Sequence, residues 1–162
     1  MQLFIHQILI KFIIFIVLLT GCKTSTVEHL NKYELKKLKI NEHTIIDVFM
    51  AQSPLEQAKG LSDIELEDFP KKTGMFFTGE TQRKRQFWMP NTLFDLDIFF
   101  LSKDLYVIDI HRRLKAYKGF EPREKIPRSK EVECVHVLEL PSESKEASLI
   151  KHGMVLSFTE KD

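Results

Sequence analysis

Short apolar runs separated by polar punctuation dominate this chain. Residues 35–40 (LKKLKI) and 44–50 (TIIDVFM) set apolar and β-branched side chains on either side of Asn41, Glu42 and His43, which predicts a hairpin. Further strands are expected at 74–77, 85–88, 96–101, 105–114, 132–140 and 154–158, with Ser102, Lys103 and Asp104 joining 96–101 to 105–114 as a second hairpin. Along 132–140 a period of two puts Val132, Cys134, His136, Leu138 and Leu140 on one face.

Two helices interrupt this pattern. Ser53 stands at an N-cap, Pro54 at the first helical position and Glu56 three residues after the cap, so a capping box opens a helix over 54–59 that Gly60 ends. An isolated helix this short would not persist, so it is expected to lie on the sheet. A second helix is predicted over 143–151, acidic at its start and basic at its end, with Ser142 before it and Gly153 behind. Residues 115–130 carry Gly119, Pro122 and Pro127 among mixed charges and read as a long loop, a class that often carries function. The fold class is α+β and β-rich: a compact barrel-like sheet of seven or eight short strands with two short helices.

The N-terminus follows a different pattern. Lys11 precedes the apolar run 12–19, the length of a signal-peptide core and short of the roughly 20 residues a spanning helix needs. It ends in Leu18-Leu19-Thr20-Gly21-Cys22, which resembles the lipobox of bacterial lipoproteins. That resemblance implies a diacylglyceryl group on the Cys22 thiol and cleavage before it; an ordinary secretory signal is the alternative. The expected organisation is a signal peptide over 1–21, a lipidated N-terminus and polar tether over 22–34, and a domain over 35–162. Two or three acyl chains hold a protein at a bilayer where one does so only marginally. Lys23 stands where the lipoprotein sorting rule would require Asp for inner-membrane retention. The expected location is therefore the cell envelope, lipid-anchored to the outer membrane and facing the periplasm.

Charge and cysteines narrow the function classes. There are 24 Lys and Arg against 23 Asp and Glu, and loss of Lys11 with the signal would leave the two equal. Such a chain has no global field to attract nucleic acid, which is not an expected partner. With Cys22 lipidated, Cys134 is the only remaining cysteine, so no intrachain disulfide is expected, and it reads as a buried inert thiol. The six His show no H-E-x-x-H spacing, and C-x-x-C, Gly-rich phosphate loops and G-x-S-x-G are missing from the sequence. A monomer without cofactor or metal is the expectation.

Several stretches carry a family resemblance: Gly60-Leu61, Gly74-Met75-Phe76-Phe77, Phe87-Trp88-Met89-Pro90-Asn91-Thr92, Leu96-Asp97-Ile98-Phe99-Phe100 and Val137-Leu138-Glu139-Leu140-Pro141, with Gly153 behind them. In order and spacing, the chain from about residue 35 to 158 resembles the bacterial and archaeal DUF192 family, a domain of unknown function. The resemblance implies a β-rich fold with short helices and supplies no activity. Ser62 stands where the family usually has Met, and Asp95 where it usually has Pro.

Candidate chemistry therefore comes from the residues. Trp88, Asn91 and Thr92 combine an aromatic face with an amide and a hydroxyl, suited to a small polar ligand; their alternative use is to fill the core and fix a turn. Asp95 and Asp97, two apart at the start of a strand, with His111 form the basis of a metal- or carboxylate-dependent hydrolase, which Glu139 or the 115–130 loop could complete; alternatively Asp97 accepts turn amides and Asp95 is solvated. Arg85 lies in a basic triplet with Arg83 and Lys84, and Arg112, Arg113 and Lys115 form a second cluster; on neighbouring strands the two would make one anion-binding patch. The leading reading is a non-catalytic module that binds a small polar ligand or envelope component through Trp88, Asn91, Thr92, Asp97 and Arg85, flanked by the 115–130 loop. A hydrolase built on Asp95 and Asp97, and a purely structural scaffold, are the alternatives.

Overall fold

The structure is a computed structural model and describes residues 29–159. The segment expected to be a signal peptide, Cys22 and most of the expected tether lie outside the described residues. Of the stretch expected to be tether, Leu30 and Tyr33 are buried, Tyr33 edge-on to Phe49, so packing begins before the first strand.

Strands β1 (Glu34–Asn41) and β2 (Thr44–Ala51) form the hairpin expected around Asn41 to His43. Helix α1 (Pro54–Lys59) follows with the predicted capping box: Ser53 Oγ accepts from the Glu56 amide and the Glu56 carboxylate accepts from the Ser53 amide at 2.8 Å. Gly60 ends it at a positive φ, its amide donating to the Glu56 carbonyl. β3 (Thr73–Phe77) then runs parallel to β2, with α1 inside the crossover. β4 (Arg83–Arg85), β5 (Leu96–Leu101), β6 (Val107–Leu114), β7 (Val132–Cys134) and β8 (His136–Pro141) precede α2 (Lys145–Leu149) and β9 (Ser157–Phe158).

Seven strands form one sheet in the order β6-β5-β8-β3-β2-β1-β9, and β4 pairs with β7 in a separate two-stranded ribbon. The last segment joins the two edges of the large sheet. Gly153 and Leu156 donate to the carbonyls of Val107 and Leu105, beside β6, while Phe158 and Ser157 pair with Leu38 and Lys39 of β1. The sheet is therefore curled, as a barrel-like architecture requires.

Both faces of the central strands are covered, which is why 96–101 reads as a continuous apolar run. Phe99, Leu101, Leu138, Val48 and Phe76 contribute to one core, closed by Ala147 and Ile150 at α2. Ile98, Phe100, Val137, Met75 and Phe49 contribute to the other, covered by Leu61, Phe69, Met89 and Phe94 from the connecting segments. The candidate site lies on this second side.

Several local readings differ from the structure, among them the last strand, which is Ser157–Phe158 and not 154–158. The strand expected over 132–140 is two strands broken at Val135, whose amide donates to the Leu101 carbonyl. That break shifts the alternation, so Cys134 and Val137 share one core while Leu138 and Leu140 enter the other. The strand expected at 85–88 is instead Arg83–Arg85, held in register against Cys134, Glu133 and Val132. The second helix starts later than expected because the Ser142 hydroxyl binds Asp97; Ser144 caps α2 instead, accepting from the Ala147 amide.

Candidate functional site

The Phe87 to Thr92 segment is laced to the 115–130 loop through the backbone. Ser129 donates to the Phe87 carbonyl, Met89 to that of Pro127, Asn91 to that of Gly119, and Tyr117 to that of Thr92. The two stretches, expected from the sequence to flank one another, lie side by side. Phe87 packs against Phe77 and Met89 is buried, while Trp88 is 43% exposed with the Arg128 guanidinium 5.4 Å from its ring centre. Trp88 is thus a wall and not a core filler.

Asn91 and Thr92 have defined partners within the fold. Asn91 adopts a positive φ, its side-chain amide donates to Asp63, and its carbonyl oxygen accepts from the Gly119 amide at 2.8 Å. Thr92 is buried, with its hydroxyl 3.4 Å from the Pro90 carbonyl. Ser62, the family departure, is also buried and donates to the same carbonyl at 2.7 Å. These groups tie the exit of α1, the Pro90 turn and the 115–130 loop into one unit.

The two aspartates are each neutralised. Asp97 lies opposite a bulge in β6, where Leu96 pairs with Leu114 but Ile98 with His111. Its Oδ1 accepts from the Arg113 amide and from Ser142 Oγ, both at 2.8 Å, and its Oδ2 from Arg112 Nη1 at 2.6 Å. Asp95 accepts from Lys115 Nζ at 2.7 Å and from the Ala116 amide at 2.8 Å. Partial burial pushes the Asp95 carboxyl up, but those hydrogen bonds and the charges of Lys115 and Arg113 bring it below the usual carboxylate range. His111 Nδ1 accepts from the Lys130 amide. Among the described residues no three His, Cys, Asp or Glu side chains are grouped to hold a metal ion.

The two basic clusters occupy different sheets, β4 in the ribbon and β6 in the large sheet. Arg112 is engaged by Asp97 and by the carbonyls of Ala147 and Ile150. Arg85 is in a different state: it is 7% exposed, its Nη2 donates to the Thr78 carbonyl at 3.2 Å, and its Nε is buried with no partner among the described residues. Burial, and then the charge of Arg83, hold its pKa below the usual arginine value. Nearby, Cys134 is buried, and that burial pushes its thiol up to about 11, away from the thiolate form that reacts.

Glu139, which the sequence offered only as a group that could complete a site with Asp95 and Asp97, lines a chamber with Trp88 and Ser62 instead. It sits mid-sheet on β8, paired with Met75 on one side and Ile98 on the other, and is 5% exposed. No hydrogen bond to its carboxyl occurs among the described residues, and burial pushes its pKa up to about 8. The available signal was a lone acid inside the apolar run Val137 to Leu140.

Three concavities run around α1. A chamber of about 40 Å³, room for a water or two, is lined by Glu139, Ser62, Met89, Thr92 and Trp88. A groove of about 340 Å³ contains Arg83 to Trp88. Gln57, Ala58, Phe77, Phe87 and Trp88 line both, forming a common wall. A cleft of about 520 Å³ extends from Arg85 past Arg83, Thr78 to Thr81, Gln52 and Pro54. The two larger volumes lie in the range of small-molecule sites.

Comparison with solved structures finds the same fold in uncharacterised proteins. A "putative transcription regulator" from Sinorhizobium meliloti 1021 is 23% identical with a TM-score of 0.62, covering 78% of this chain and 95% of its own. A protein of unknown function from Novosphingobium aromaticivorans DSM 12444 is 22% identical with a TM-score of 0.63, covering 85% of this chain and 99% of its own. No curated protein matches. The DUF192 family model, described as "Uncharacterized ACR", matches residues 36–158, from the first strand to the last and through every cavity-lining segment; the chain belongs to the DUF192 family.

Proposed function

We propose that this protein is a non-catalytic ligand-binding module of the bacterial envelope, anchored to the outer membrane through lipid on Cys22 and binding a small polar molecule in the groove beside Trp88. One observation carries the binding reading. Arg85 and Glu139, both buried and neither with an ionic partner among the described residues, front cavities that share the Phe77, Phe87 and Trp88 wall. Buried ionisable groups without partners are costly and cluster where a ligand completes them. The tight bonding of Asn91 and Thr92 supports a role for them in holding the wall at a fixed distance from α1. The engagement of Asp95 and Asp97 by Lys115 and Arg112 favours binding over hydrolysis.

Native mass spectrometry of the purified full-length protein tests this reading. A small molecule should be retained by the wild type and lost from Trp88→Ala, which should stay folded because the ring is half exposed. A Trp88→Ala protein that unfolds would make the ring structural and end the assignment.

A further inference from the structure

The cleft beside α1 has a charge imbalance that the rest of the fold does not correct. Arg85 is more than nine-tenths buried, yet its only hydrogen bond among the described residues is to the Thr78 carbonyl. Of its neighbours on β4, Lys84 pairs with Glu131 at 3.1 Å, whereas Arg83, on the same cleft, has no ion pair among the described residues. A buried guanidinium normally sits against a carboxylate, because desolvating its charge costs several kcal/mol that only an opposite charge and a full set of acceptors offset. Nothing in the described fold supplies either.

The surroundings of Arg85 suit a guest. Gly79 lies so close that a built Cβ would stand 2.7 Å from Nη2, so the wall here is bare backbone beside the guanidinium. The Gly79 amide donates to His136 Nδ1 at 3.1 Å, which fixes that ring as an acceptor at this nitrogen, and burial, then the Arg85 charge, lower its pKa. The charged side chains lining the cleft are Arg83, Arg85 and Glu80, a balance of one positive charge. Gln52, Gln57 and Thr81 add amide and hydroxyl groups to the same walls.

We propose that this cleft is a carboxylate-recognition subsite, in which Arg85 receives the single negative charge of a small organic acid whose body extends along the Phe87 and Trp88 groove. The inference rests on the binding reading above and adds the chemical class of the ligand. A planar carboxylate matches both the one unmatched charge and the forked donor geometry of a guanidinium, whereas a phosphate group brings nearly two charges.

The test uses the full-length protein, whose sole tryptophan, Trp88, lines the groove that Arg85 also fronts. Acetate, the neutral isostere acetamide and inorganic phosphate are titrated while following Trp88 fluorescence and the thermal unfolding midpoint. Acetate should give a saturable change and raise the midpoint; acetamide should bind at least about tenfold more weakly, since it lacks the charge. Arg85→Met, of similar length and without a charge to strand, should fold at least as well as the wild type and lose the acetate effect. Equal binding of acetate and acetamide would leave the groove standing and sink the carboxylate assignment, as would tighter binding of phosphate. No response to any of the three, together with no retained molecule in the mass spectrum, would remove both readings. An Arg85→Met protein that cannot fold would show the guanidinium to be structural and overturn the proposal.

Discussion

Arg112 reaches across the β5–β6 pair to Asp97, Nη1 to Oδ2 at 2.6 Å, at the point where β6 carries an extra residue. Arg113 takes the positive φ that the bulge demands and turns its amide to Asp97 Oδ1. One carboxylate therefore satisfies a backbone donor left over by the bulge, a guanidinium and the Ser142 hydroxyl. Removing its charge while keeping its shape should be expensive. Asp97→Asn is expected to cost about 2–3 kcal/mol, below the full penalty for a broken buried pair because Arg112 is partly exposed. Urea unfolding of the variant checks this. A variant as stable as the wild type would show that Asp97 is dispensable to the fold and reopen it as a functional acid.

What could be read from the sequence follows the range of the forces involved. Ser53 to Gly60 was legible because capping, the fixed φ of Pro54 and the end at Gly60 depend only on neighbours in the chain. The hairpin around Asn41 was legible for the same reason. The break at Val135 was not, because it is set by the Leu101 carbonyl, a partner far away in sequence. The parallel pairing of β2 with β3 was likewise a long-range outcome. In the candidate site, Trp88 and Arg85 stood out by residue type, while Glu139 was hidden inside a strand motif because only the packed sheet shows that its carboxyl has no partner.

Gly79 has no freedom to gain a side chain. A Cβ built on it would stand 2.0 Å from the Val135 carbonyl oxygen, closer than any real contact, and that oxygen belongs to the chain break that separates β7 from β8. Backbone must move to relieve it. Gly79→Ala is expected to destabilise the protein by at least about 2 kcal/mol, in the range of overpacking strain, and to weaken acetate binding through the displaced Arg85. Thermal unfolding measures the first effect and Trp88 fluorescence the second. An unchanged midpoint would mean that Gly79 and Val135 stand further apart than this geometry has them.

The proposed anchor makes its own prediction. Radiolabelled palmitate should enter the wild-type protein and fail to enter Cys22→Ala, and the wild type should fractionate with the outer membrane. Two or three acyl chains give stable retention, so the variant should move to the soluble fraction. Label persisting in the variant, or wild-type protein free in the cytosol, would contradict the lipoprotein reading.

Glu139 gives the site a pH signature. Its folded pKa of about 8 lies above the value near 4.5 that an exposed glutamate has, so the folded protein holds this proton over a range where the unfolded chain has released it. Below about pH 4.5 both states are protonated and Glu139 contributes no slope. Between about 4.5 and 8 the unfolded chain alone is ionised, so stability falls as pH rises, by up to about 1.4 kcal/mol per unit from this group. Above about 8 both states are ionised and the slope ends. Glu139→Gln, which cannot ionise, should therefore lack this downward slope, so that its stability relative to the wild type rises from pH 5 to pH 8. The same variant should keep the small chamber beside Trp88 and Ser62, since the amide has nearly the volume of the acid. Parallel unfolding curves for variant and wild type from pH 5 to 8 would mean that the carboxyl has a partner that stabilises its charge, and Glu139 would then lose its place as the uncompensated acid of the site.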